Sequence, residues 1–185
     1  MLDIYIGYDP KESVAYHLLV QSIMDTSSVP CRITPINLKN IPEYTRARGE
    51  TESTEFSFSR FLVPYLNDYK GIALFMDCDM LLRGDIAELF KERDFLSAVQ
   101  VVQHDYTPTT KTKFLGQKQT VDPKKNWSSV MLFNCAHYHC RKLTPEAVNT
   151  ESGKYLHQFE WTDKVGELSP KWNYLVGEGQ EVDDP

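Results

Sequence analysis

Asp77 and Asp79 are the residues whose type and spacing point most directly to chemistry. They flank Cys78 at the end of an apolar run, Ile-Ala-Leu-Phe-Met, that starts after Gly71. An extended backbone turns alternate side chains to the same side, so the two carboxylates project together. Like charges held together repel unless a proton or a cation lies between them. A hard divalent ion with oxygen ligands, Mn²⁺ or Mg²⁺, satisfies that pair and would hold a diphosphate as well. An isolated Asp-x-Asp is equally compatible with two side chains facing water in a turn. Here the preceding apolar run argues for the end of a strand buried on both faces.

The elements that must position this pair follow from periodicity. Residues 2–7 read as a first strand ended by Gly7. Residues 11–24 carry Val14, Ala15, Leu18, Leu19 and Ile23 at helical spacing after the start signal Asp9-Pro10. Residues 32–38 alternate as a second strand, 40–55 are polar and read as a mobile loop, and 56–65 resume helical spacing. Strands are expected at 71–76, 96–102 and 130–133. Asp85 is placed to cap a helix over 86–90, with Glu88 completing a capping box. Residues 144–159 read as one helix with Pro145 in its first turn. Alternating strands and helices predict an α/β layered fold. Ligands of such sheets bind at the carboxyl ends of the strands. That rule selects Asp9, the Asp77/Asp79 pair, and Gln103-His104-Asp105 after the strand ending at Val102.

Composition limits the classes of function. The chain has 185 residues, 41% hydrophobic and 25% charged, which predicts one compact domain. Its net charge of -6 supplies no general attraction to nucleic acid or to an anionic membrane. No apolar stretch approaches the roughly 20 residues of a transmembrane helix. The N-terminus reads as a core strand, not a signal peptide. Cys31, Cys78, Cys135 and Cys140 show no CxxC spacing, so neither a zinc site nor a disulfide framework is expected, and a reducing, cytoplasmic compartment is.

Several segments in order carry a family likeness. The stretch Gly71-Ile-Ala-Leu-Phe-Met-Asp77-Cys-Asp79-Met-Leu-Leu-Arg-Gly-Asp85-Ile-Ala-Glu-Leu-Phe90 resembles the nucleotide-sugar and metal-binding segment of glycosyltransferase family 8. Residues 3–9 with Ala15-Tyr16 and Ser22-Ile23 resemble its first strand and helix, and Phe56-Ser-Phe-Ser-Arg60-Phe-Leu-Val-Pro64 the helix bearing a donor-side arginine. Asn126-Trp-Ser-Ser-Val-Met-Leu-Phe-Asn134 resembles a strand that ordinarily opens Asn-Ala-Gly, and Leu168-Ser-Pro-Lys-Trp-Asn173 a late Trp-Asn element. The resemblance implies a GT-A fold: a Rossmann-like, mostly parallel central sheet flanked by helices, as a single domain over 1–185. It also implies a metal-dependent retaining transferase that moves a sugar from a nucleotide-sugar, a UDP-sugar, to an acceptor expected to be a carbohydrate. The family's late metal-binding histidine has no counterpart before Pro185, so the resemblance implies either that a C-terminal segment is missing, and that this form binds metal weakly without nucleotide, or that another group, His104 first, completes the site.

Carried onto this sequence, the resemblance gives Asp77 and Asp79 the metal, with Arg60, Asp79 and Gln158 as catalytic residues. Gly7, Tyr8, Asp9, Arg60, Asp77, Cys78, Ser128 and Ser129 become the donor-binding set. Trp127-Ser128-Ser129 departs from Asn-Ala-Gly, and Gln158, Glu160 and Asp163 all compete for the position near the anomeric carbon. Arg60 is suited to grip diphosphate or sugar oxygens bidentately; its plain alternative is a surface salt bridge to Glu55 or Asp68. Tyr8 is suited to stack on a base or to pack at a strand end. His104 is a candidate for substrate or metal contact, His137 and His139 read as surface residues, and Lys111, Lys113 and Lys118 as a polar loop that could meet phosphate. Trp172-Asn173 reads as a structural wedge bordering the acceptor side. Two other functions fit part of this pattern. One is a catalytically degenerate nucleotide-binding module. The other is a haloacid dehalogenase-type phosphohydrolase with Asp77 as nucleophile, whose small and hydroxyl residues after the motif are here replaced by Met80 and Leu81.

Overall fold

The computed structural model describes residues 1–49, 52–104 and 124–177. Six strands form one sheet: β1 (Leu2–Gly7), β2 (Cys31–Ile36), β3 (Ile72–Met76), β4 (Val99–Val101), β5 (Val130–Asn134) and β6 (Val165–Glu167), in the spatial order β2-β1-β3-β5-β4-β6. β1 pairs in parallel with β2 and β3, and β4 with β6, whereas β5 runs antiparallel to both its neighbours. Five strands therefore point one way, and β5 alone is reversed. Ile4, Ile6, Ala73, Leu74, Phe75, Val99, Val101, Val130, Met131 and Phe133 are fully buried, successive residues included. The continuous burial matches a sheet covered on both faces and is why the apolar runs here do not alternate.

The helices are shorter and more broken than periodicity predicts. Asp9 caps a 3-10 turn, Pro10–Glu12, that leads into α1 (Ser13–Thr26). Its buried face is Tyr16, Leu19, Ser22 and Ile23, while Val14 (81% exposed) and Leu18 (57%) point outward. The inward stripe is thus centred on Tyr16, not on Val14. Residues 59–62 form a 3-10 turn before α2 (Val63–Leu66). Asp85 caps α3 (Ile86–Lys91) by accepting from the Ala87 N–H at 3.0 Å, but Glu88 pairs with Lys91 and does not complete a capping box.

The single helix expected over 144–159 is two, α4 (Pro145–Thr150) and α5 (Gly153–His157). Extended Glu151 and Ser152 part them, and the Ser152 hydroxyl caps the second. β4 is shorter than the expected 96–102 because Asp94 folds residues 94–97 into a turn, accepting from Leu96 N–H and Ser97 Oγ. Residues 40–49, expected to be mobile, are tied to α4. Asn149 Oδ1 accepts from the N–H groups of Thr45 and Arg46, and the Arg46 guanidinium donates to the Val148 and Glu151 carbonyls.

Candidate functional site

The register places one functional edge. Met76 lies opposite Val130 and Val101 opposite Met131, so the carboxyl ends of β3 and β4 meet the beginning of the reversed β5. Asp77-Cys78-Asp79, residues 126–129 and the turn after β6 therefore converge. Between them opens a cleft of about 810 Å³. Asp77, Asp79, Ser129, Asn126 and Asn173 line it with the Met80–Asp85 stretch, and Lys171 and Val176 stand on its far side.

Asp77 and Asp79 differ sharply in environment. Asp79 is exposed. The Asp77 side chain is 17% exposed, and its inner oxygen Oδ1 is buried without a hydrogen bond, 2.9 Å from Arg60 Nη1. Burial pushes the Asp77 carboxyl up from 3.8 to about 6; Arg60 and the Ser129 side chain oppose this, while Asp79 and Glu12 add to it. A cation between the two carboxylates would offset the burial of Asp77 and its smaller repulsion by Asp79. Two hard oxygen donors facing a cleft fit Mn²⁺ or Mg²⁺, with water and phosphate oxygens filling the other positions. Among the described residues no group of three or more His, Cys, Asp or Glu is placed to hold a metal ion.

Three other candidates are spent on structure. Cys78 points away from the cleft, fully buried, and its thiol donates to Glu12 Oε2 at 3.1 Å. Asp9 is 2% exposed; Oδ1 accepts from Lys11 N–H at 2.9 Å and Oδ2 from Glu55 N–H at 3.1 Å. Gly7 is buried under Phe56, whose ring would lie 2.4 Å from any Cβ added there. Close packing of a side chain therefore explains this glycine. Tyr8, half-buried and edge-on to Tyr16 at 5.3 Å, is the member of that loop with a face left over.

Arg60 is only 7% exposed and forms no salt bridge with Glu55 or Asp68. Besides Asp77 it reaches the Ser128 carbonyl through Nη1 at 2.8 Å and the Phe56 carbonyl through Nε at 3.3 Å. The Ser128 hydroxyl turns to His157 Nδ1 at 2.9 Å, leaving Ser129 to line the cleft. His157, between the Phe58 and Phe61 rings, has its pKa pulled down to about 3, chiefly by desolvation and then by Arg60.

Gln158 ends α5, with its carbonyl accepting from Lys124 Nζ at 2.7 Å, and is not among the cleft-lining residues. Glu160 pairs with Lys154, and Asp163, 74% exposed, lies beside His139 and Lys164. His139 is buried against Thr162 Oγ1 at 2.7 Å, which corrects its reading as a surface residue. His104 is buried, and its carbonyl accepts from Trp127 Nε1. Asp105, Lys111, Lys113, Lys118 and the acidic stretch 178–184 lie outside the described residues.

Sequence reasoning missed Asn126, Lys171, His157 and Glu92. Glu92 Oε1 accepts from Trp172 Nε1 at 2.7 Å and Oε2 from Ser169 N–H at 2.8 Å, fixing the turn that walls the cleft. Asn126 takes a left-handed backbone (φ 67) and accepts from Asn173 Nδ2 through its carbonyl at 3.0 Å. The Trp-Asn pair was the available signal for this wall; His157 and Glu92 left none.

The mostly parallel sheet with one reversed inner strand has the fold of GT-A-type glycosyltransferases, on whose solved structures it superposes. The glycosyltransferase GlyE of Streptococcus pneumoniae superposes with a TM-score of 0.60 at 13% identity, over 95% of this chain and 47% of that one. The bifunctional glycosyltransferase WbbM gives 0.62 at 13%, over 92% and 39%. The galactosyltransferase LgtC, in complex with donor and acceptor sugar analogs, gives 0.54 at 13%, over 92% and 74%. The chain thus spans less than half the length of the first two. No family model matches it. The chain belongs to the family of Protein CDI of Arabidopsis thaliana, with which it is 49% identical over 188 residues, 98% of this chain and 73% of that protein. Among the described residues no helix is long and apolar enough to cross a membrane.

Proposed function

We propose that this chain is a metal-dependent glycosyltransferase of the family 8 type. It would transfer a sugar, with retention, from a UDP-sugar to a carbohydrate acceptor. The observation that carries the reading is the pair Asp77 and Asp79 at the carboxyl end of β3, facing a cleft of about 810 Å³. The volume suits a small-molecule ligand. Asp77 and Asp79 would hold Mn²⁺ or Mg²⁺, which when bound supplies Lewis-acid charge to the diphosphate and the leaving nucleotide. Asn126, Ser129 and Asn173 line the same cleft and orient the donor through hydrogen bonds, and Lys171 adds positive charge from the far wall. Tyr8 is the candidate for stacking on the base.

A degenerate nucleotide-binding module is the second reading, favoured by the placement of Gln158 outside the cleft lining. The test is calorimetric titration with a panel of sugar nucleotides, with and without Mn²⁺, followed by assay of donor hydrolysis. Mn²⁺-dependent binding of a UDP-sugar with turnover is expected. Binding without turnover selects the module, and a covalent phosphate on Asp77 would select a phosphohydrolase.

A further inference from the structure

Arg60 sits beneath the cleft, away from its open side. Its Nη1 lies 2.9 Å from the buried Oδ1 of Asp77 and 2.8 Å from the Ser128 carbonyl, and Nε reaches the Phe56 carbonyl. The Phe75 and Phe56 rings flank the guanidinium, with centroids 5.0 and 5.4 Å away. The backbone of residues 128–129 grips both members of the ion pair, because the Ser129 carbonyl also accepts from the Asp77 N–H at 2.9 Å. Arg60 does not line the cleft, whereas Asp77 does.

We propose that Arg60 is a positioning residue that locks the inner oxygen of Asp77 and so aims the remaining carboxylate oxygen at the cation, without itself touching the donor. This rests on the reading of the cleft as a metal and nucleotide site. Groups that orient a ligand in this way change metal affinity by about 10- to 100-fold when removed.

The sign of the effect separates positioning from mere charge once Asp77 is ionised in every variant, so each titration is repeated at rising pH, and a loss of affinity that disappears as the pH rises overturns the proposal. Taking a positive charge away from beside a cation site strengthens cation binding if Arg60 acts only through its field. Taking away a clamp weakens it. Mn²⁺ alone is titrated into the wild-type chain, Arg60→Met and Arg60→Lys by calorimetry and by electron paramagnetic resonance, and UDP is then titrated at saturating Mn²⁺. Circular dichroism confirms that each variant is folded. Arg60→Met is expected to lose about tenfold in Mn²⁺ affinity. At saturating Mn²⁺ its UDP affinity is expected to stay within about threefold of wild type, since the donor is not contacted. Arg60→Lys keeps the charge but not the planar guanidinium, whose Nη1 contacts Asp77 and Ser128 while Nε holds the Phe56 carbonyl, and is expected to recover only part of the loss. Should Arg60→Met fail to fold, Arg60→Lys alone decides, because full wild-type Mn²⁺ affinity in it overturns the proposal. Unchanged or tighter Mn²⁺ binding in Arg60→Met, or a collapse of UDP affinity with Mn²⁺ affinity intact, also overturns it. Failure of the wild-type chain to bind Mn²⁺ with or without UDP instead overturns the reading of the cleft, and the proposal with it.

Discussion

At the scale of single residues, the two aspartates divide the work by exposure. Asp79 is open to solvent, so Asp79→Ala should leave the unfolding free energy within the roughly 0.5 kcal/mol typical of surface changes. The same variant should lose Mn²⁺-dependent nucleotide binding; calorimetry showing unchanged affinity would refute the metal assignment. His157 offers a separate, pH-dependent handle. Its folded pKa of about 3 lies well below the 6.5 of a free imidazole. The folded chain therefore holds this ring neutral while the unfolded chain protonates it. Its contribution is present in full above about pH 6.5 and is lost as the pH falls toward 3. Because the ring is only partly buried, a loss on the order of 1–2 kcal/mol by pH 4.5 is expected. Denaturant melts of His157→Asn should show a shallower decline between pH 7 and 4.5 than wild type. Parallel declines would show that another group carries the acid sensitivity.

At the scale of elements, close packing explains which positions tolerate change. A Cβ at Gly7 would meet the Phe56 ring at 2.4 Å, so Gly7→Ala should cost about 1–3 kcal/mol by overpacking. Thermal melts should show part of that loss returned in the double variant with Phe56→Leu. Glu92 joins α3 to the 169–173 turn through two hydrogen bonds, and Glu92→Ala should cost about 1–2 kcal/mol. It should also speed hydrogen exchange in residues 168–174 without altering α1; uniform acceleration would mean that Glu92 supports the whole fold.

The strands β1, β3 and β5 were legible because buried strands produce short apolar runs, ended by Gly7 in β1, bounded by Gly71 and Asp77 in β3, and closed by Asn134 in β5. The Asp77/Asp79 pair was legible as the residues that end such a run, but the expected alternation was not met: β3 stops at Met76 and Cys78-Asp79 form a turn, and that turn brings both carboxylates to the cleft. β6 was not legible: three residues containing Gly166 carry no periodicity, and the fit of that glycine against Ser97 Oγ depends on a tertiary contact. The Asp9 bond to Lys11 N–H was legible in the start signal Asp9-Pro10, but spacing could not reveal its second bond, to Glu55 N–H, which comes from beyond a helix and a strand. Arg60 was recognised as a functional candidate, but its inward orientation depends on residues 128 and 129, far along the chain.

At the scale of the whole molecule, ligand binding should appear as stability. A ligand held only by the folded chain adds about 2.7 kcal/mol when present at a hundred times its dissociation constant. For a chain of this size that raises the melting temperature by roughly 5–10 °C. Mn²⁺ and UDP together should give that rise, and each alone much less, because each supplies oxygen or charge that the other needs. Equal shifts from UDP with and without Mn²⁺ would separate nucleotide binding from the carboxylate pair. The reversal of β5 has a different kind of consequence. The connection from Val101 to Val130 starts and ends at the same edge of the sheet, with Val101 opposite Met131. Its two ends are anchored side by side, so doubling its length would cost only about 0.6 kcal/mol of closure entropy. Insertion or deletion between these two strand ends is therefore open to a relative at almost no thermodynamic expense to the sheet that carries Asp77 and Asp79.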